Sequence, residues 1–170
     1  MNLSRSAATV FALTLISFTA GAVEVGETAP CVVLNQISAN GIEAEHCIRD
    51  PKVTGEKVVL EFFLTTCSDC QANLPIFSDL ASRLSGKATF RLVGTDRSEA
   101  AIRGYLQSNA SLIAGAQIET ALDTQRDARR AYSVVATPTL FILDSQNTVL
   151  YRHTGILKPS DVQAIEQILK

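Results

Sequence analysis

Two cysteines three positions apart, Cys67 and Cys70, stand in the stretch LEFFLTTCSDCQANLP, between a run of strand formers and the start of a helical pattern. Such a pair can be half of a zinc site, a structural staple, or a dithiol that opens and closes a disulfide. Zinc needs a second ligand pair at matching separation, and the other candidates, Cys31, His46, Cys47 and His153, do not form one. No metal is therefore expected. At the first turn of a helix, the Cys67 sulfur lies beside unsatisfied backbone N–H groups and the positive end of the helix dipole, both of which stabilise a sulfur anion. The i, i+3 spacing puts Cys70 on the same helix face one turn later, within reach of a disulfide. A purely structural bond remains open, but a bond at an exposed helix start is suited to exchange.

The elements that must hold these sulfurs are legible around them. Residues 58–64 (VVLEFFL) are nearly unbroken apolar and aromatic, the pattern of a strand buried on both faces. From Cys70 to Leu84, the residues Leu74, Phe77, Leu80 and Leu84 recur at helical spacing, with Gly86 as a stop. Residues 88–93 read as a second strand. Asp96 with Glu99 resembles a capping box opening a helix that turns Ile102, Tyr105 and Leu106 inward. A short strand at 118–122 and a short helix at 124–132 follow. Residues 139–143 and 148–152 form a hairpin, and Pro159 starts a last helix.

Upstream, residues 31–35 and 42–47 flank Ser38-Ala39-Asn40-Gly41, whose Asn-Gly pair favours a hairpin turn. A four-residue loop at 38–41 places Cys31 and Cys47 almost opposite each other, so a cross-strand disulfide is the simplest account. A structural staple is the default role, and a second dithiol relaying electrons to Cys67 stays open. The element order predicts an α/β sandwich with parallel first crossovers and an antiparallel end.

With 170 residues, 46% hydrophobic and 19% charged, the chain is expected to hold one globular domain, residues 23–170. Residues 1–22 read as a secretory signal peptide: Arg5 is the positive start, 7–18 the apolar run, and Ala20-Gly21-Ala22 the small-residue cleavage site. The apolar run is shorter than the roughly 18 to 20 residues of a spanning helix, so membrane association is expected only if this segment stays uncleaved. The product would be exported, to the periplasm or beyond, where four cysteines mean disulfides or thiol chemistry. The formal net charge is −2 with no basic run, which argues against nucleic acid as a partner.

Several features together resemble the thioredoxin superfamily over most of residues 58–170. Glu61 lies six residues before Cys67, where thioredoxins carry a buried acid, and Pro75 five residues after Cys70, where they carry a helix-bending proline. Val135-Ala136-Thr137-Pro138-Thr139 resembles the loop holding their cis-proline, and Gly155 matches their late glycine. The added N-terminal hairpin and the helix-strand segment from about 96 to 123 look most like the exported TlpA-like (ResA-like) branch, mostly reductants of the bacterial cell envelope. Thr66 departs from the tryptophan of most relatives, and Ser68-Asp69 from their Gly-Pro or Pro-Pro.

The resemblance implies a thioredoxin-like sandwich, with a central mixed β-sheet flanked by helices, and a thiol-disulfide oxidoreductase, an enzyme that needs no cofactor. In it Cys67 attacks a partner disulfide and Cys70 resolves the mixed disulfide. Glu61 is the candidate proton acceptor for Cys70, since an acid in an apolar strand is costly unless used or paired; a route to an edge, solvent or an arginine stays open. A cis Thr137-Pro138 bond would present the Thr137 backbone to an extended substrate, where a trans proline would merely start a strand. Expected partners are protein disulfides or dithiols and an upstream electron donor, met by a monomer. Two other classes share the fold: a thiol peroxidase, whose motif is missing around Cys67, and a non-catalytic binding or chaperone module, which needs neither CxxC nor the acid.

Overall fold

The computed structural model describes residues 23–38, 41–52 and 56–170. The signal-peptide expectation for residues 1–22 and the tip of the first hairpin, 39–40, lie outside the described residues.

Among the described residues, seven strands form one mixed sheet in the order β2-β1-β5-β4-β3-β6-β7. They are β1 (Val33–Ser38), β2 (Gly41–Cys47), β3 (Lys57–Phe63), β4 (Ala88–Gly94), β5 (Glu119–Leu122), β6 (Thr139–Leu143) and β7 (Val149–Thr154). β3, β4 and β5 run parallel, and the other pairings are antiparallel. The helices are α1 (Ser68–Arg83), α2 (Glu99–Ser108), α3 (Ala110–Gly115), α4 (Asp127–Ala131) and α5 (Pro159–Leu169). This is the thioredoxin-like sandwich, with an N-terminal hairpin and an insertion of α2, α3 and β5 between β4 and α4.

The period of two along a strand decides which face each side chain serves. In β3, Val58, Leu60 and Phe62 join a core with Ala128 of α4, Tyr132 and Ile48, whereas Val59 and Phe63 join the opposite core. That second core packs Leu74, Phe77 and Leu80 of α1 with Ile102 of α2 and Ile165 and Leu169 of α5. Glu61, between Val59 and Phe63, therefore points to the α1 side with Cys70. A buried ion pair ties the other layer together. Arg91 of β4 donates to Glu119 Oε2 at 2.5 Å and to the carbonyls of Ile48 and Asp50 at 2.5 and 3.1 Å, pinning the hairpin exit to the sheet.

Five expectations change. Ser38 pairs with Gly41, closing the hairpin more tightly than a loop of 38–41, and a bulge between Gln36 and Ile37 brings Val33, not Cys31, opposite Cys47. The N-cap of α2 is Ser98, whose hydroxyl accepts from Ala101 N at 3.2 Å, instead of an Asp96–Glu99 box. The insertion holds a second helix, α3, and the helix expected at 124–132 shortens to α4.

Candidate functional site

Cys67 is the N-cap of α1, one position outside the helix proper, in extended backbone. Its sulfur accepts from the Cys70 N–H at 3.2 Å and donates to the Thr137 carbonyl at 3.2 Å. The sulfur thus does what a serine or aspartate oxygen does at other caps, meeting one of the orphan donors of the first turn. Both cysteines are free thiols; Cys67 is partly exposed and Cys70 only 1% exposed. Burial first, and the hydrogen bond with Cys67 second, push the Cys70 thiol up to about 12. A buried thiol this reluctant to ionise needs a local proton acceptor to act as a nucleophile.

Glu61 lies on the α1 side of β3, fully buried, and desolvation lifts its carboxyl from 4.5 to about 8, against a lowering hydrogen bond from Asn73. Asn73 Nδ2 donates to Glu61 Oε2 at 2.7 Å, while Asn73 Oδ1 accepts from Leu157 N at 2.9 Å. The acid is 1% exposed, and among the described residues an amide, not an arginine, meets it. Asn73 was not singled out from the sequence. Its one signal was a polar residue at i+3 from Cys70, on the inward face of an amphipathic helix.

The Thr137-Pro138 bond is cis, and Pro138 O accepts from Gly155 N at 2.8 Å, so the loop after β7 backs the proline loop. The turn between β3 and α1 is tethered from the other side. Asp96 accepts from both Thr65 N and Thr65 Oγ1 at 2.9 Å, a fork that holds the residue two before Cys67. Sequence pattern assigned Asp96 to helix capping and so missed this role.

Cys31 and Cys47 form a disulfide with Cα atoms 5.4 Å apart. Among the described residues, no group of three or more His, Cys, Asp or Glu side chains could hold a metal ion, and no helix is long and apolar enough to cross a membrane.

A cap cysteine facing a cis-proline loop, a buried cysteine behind it and a buried acid on β3 define an oxidoreductase of the thioredoxin superfamily, similar to the ResA- or TlpA-like type. The family model described as Redoxin matches residues 24–169, and the chain belongs to that family. Among curated relatives, the Bacillus subtilis "Thiol-disulfide oxidoreductase ResA" is 25% identical over 146 residues, covering 85% of this chain and 75% of its own. The ResA of Geobacillus thermodenitrificans is 28% identical over 148 residues, 86% and 79% of the two chains. A solved Chlorobium tepidum chain, described as a DsbE-type thiol:disulfide interchange protein, superposes with a TM-score of 0.69 at 24% identity, over 86% of this chain and 95% of that one. StoA from Bacillus subtilis follows the same fold, with a TM-score of 0.63 at 16% identity over 84% and 99%.

Proposed function

We propose that this chain is an exported thiol-disulfide oxidoreductase that reduces disulfides in protein substrates through Cys67 and Cys70. The observation that carries the reading is the Cys67 thiol, held against the Thr137 carbonyl at 3.2 Å and backed by a buried Cys70. The Cys67 thiolate attacks one sulfur of a substrate disulfide; a Cys67–substrate bond forms, the substrate S–S bond breaks, and the departing sulfur takes up a proton. Cys70 then passes its proton to the Glu61 carboxylate and attacks Cys67 Sγ. The Cys67–Cys70 bond forms, the second substrate thiol leaves, and two electrons have moved from the dithiol to the substrate. An upstream electron donor must restore the dithiol.

The surface around Cys67 suits an extended polypeptide. Thr137 offers its backbone beside the sulfur, and Val135, 85% exposed, and Ile156, 38% exposed, stand on the two loops that meet at Pro138 and Gly155. Exposed apolar side chains beside a reactive thiol are a docking feature for protein rather than for small disulfides. Export is supported by the pattern of residues 1–22 and by the Cys31–Cys47 disulfide, which belongs to an oxidising compartment.

Insulin reduction in the presence of dithiothreitol tests the reading. The wild-type chain should accelerate it and Cys67→Ser should not; equal rates would favour a binding module whose cysteines never cycle.

A further inference from the structure

We propose that Tyr105 and the cleft it lines form a second contact for the polypeptide substrate, on the β4 side of Cys67, with the phenol hydroxyl donating to a backbone carbonyl of the incoming chain. The inference rests on the thiol-disulfide reading above.

The cleft has a volume of about 490 Å3 and is walled by Thr65, Gln71, Ala101, Gly104, Tyr105 and Ser108. One wall is the active-site turn itself. Gln71 N donates to Cys67 O at 3.2 Å, and Gln71 Nε2 donates to Thr65 O at 3.3 Å, so the two residues bracket the attacking cysteine. The other wall is α2, the helix inserted after β4. Because β4 and β6 flank β3 on opposite sides, this cleft lies across Cys67 from the Thr137 loop. A chain docked on Thr137 and continuing past the sulfur runs into it.

Tyr105 stands in this wall with a fixed ring and an unused hydroxyl. The ring lies 5.0 Å from that of Phe63, the last residue of β3. No hydrogen bond among the described residues uses its hydroxyl, whereas Tyr132 donates to Pro30 O at 2.9 Å and Tyr151 to Asp161 Oδ1 at 3.0 Å. Burial raises the Tyr105 phenol to about 12, and negative charge on Cys70, Glu61 and Cys67 adds to the shift. The phenol therefore shares the electrostatic surroundings of the dithiol and remains a donor wherever exchange runs. Its polar neighbours direct their donors elsewhere, Thr65 Oγ1 to Asp96, Ser108 Oγ to Gly104 O at 2.9 Å and Asn109 Nδ2 to Tyr105 O at 2.8 Å, and none of them is bonded to the phenol oxygen. A backbone carbonyl is the acceptor every polypeptide supplies, whatever its sequence, and a rigid phenol meets it at low entropic cost.

Two variants of the full chain and two substrates test this. Tyr105→Phe keeps the ring on Phe63 and removes only the hydroxyl. Gly104→Leu fills the cleft: a Cβ there meets nothing within 4 Å, and leucine suits a helix better than glycine, so the fold should hold. The substrates are insulin and dithiodipyridine, a small disulfide with no carbonyl. Each variant should lower kcat/KM on insulin about three- to tenfold, the scale of one hydrogen bond, mainly through KM. The rate constant with dithiodipyridine should not change. Unchanged insulin kinetics in both variants, or an equal loss on both substrates, would overturn the inference alone. A wild-type chain that reduces neither substrate would overturn the thiol-disulfide reading, and this inference with it.

Discussion

Asn73 joins the buried acid to the loop between β7 and α5, donating from Nδ2 to Glu61 Oε2 at 2.7 Å and accepting at Oδ1 from Leu157 N at 2.9 Å. Both ends of one amide are engaged, and both partners are themselves buried. The amide donor favours the ionised carboxylate, so Asn73 limits how far burial can lift the acid. In Asn73→Ala, two buried polar groups lose a partner, which costs about 1–3 kcal/mol of stability. The Glu61 titration should also move further above 8, as a carbon-13 NMR titration of the carboxyl would show.

Glu61→Gln separates catalysis from stability. The wild-type carboxyl titrates near 8 when folded and near 4.5 otherwise, so the unfolded chain releases its proton first. The contribution of this group to stability is complete below pH 4.5 and declines as pH rises to about 8. Glutamine removes that decline and can still accept from Asn73. The variant should match wild type in thermal melts at pH 4 and exceed it at pH 9. Its resolution of a mixed disulfide should be about a hundredfold or more slower, without the rise in rate through pH 8.

Asp96 holds the turn between β3 and α1 through Thr65, without a hydrogen bond to either sulfur. Asp96→Ala breaks both of its hydrogen bonds to Thr65. A loss of about 1–2 kcal/mol in denaturant unfolding is expected, since both bonds go to a charged acceptor at a partly exposed site. Slower attack by Cys67 on insulin should accompany it, because the turn that aims the sulfur is freed.

The Cys31–Cys47 bridge spans 16 positions of sequence, and the loop-closure account makes its loss in Cys31→Ala/Cys47→Ala worth about 3 kcal/mol. Cys47 leads directly into Ile48 and Asp50, whose carbonyls Arg91 holds, so the Arg91–Glu119 pair should keep the hairpin docked. Insulin reduction at 25 °C should remain near wild type. A large loss of rate with an intact fold would instead assign the bridge to electron relay.

Much of this was legible in the sequence because it is written in local periods. The nearly unbroken apolar run at 58–64 marked β3 as buried on both faces, and the helical repeat after Cys70 marked Leu74, Phe77 and Leu80 as the inward face of α1; that Glu61 shares a face with Val59 and Phe63 came only with the fold. The cis bond at Pro138 followed from resemblance to a family loop, not from any local rule. What stayed hidden depends on partners distant in the chain. Asp96 sits two residues before the true cap Ser98, so its local pattern mimics a cap, while its partner Thr65 lies 31 positions away. Asn73 is one polar residue in a helix with several, and only the fold shows that its face meets Glu61 and Leu157. The bulge at Gln36 and Ile37 shifted the hairpin register, because one extra residue in a strand leaves no mark in an alternating pattern.

The most direct test of the account is covalent trapping. Cys70→Ser, reduced and then mixed with oxidised insulin, cannot resolve the intermediate, and peptide mass spectrometry without reductant locates the bond. One insulin chain should be attached at Cys67, with Cys31 and Cys47 still joined to each other. Attachment at Cys31 or Cys47, or no adduct at all while Cys67 remains a free thiol, would contradict it.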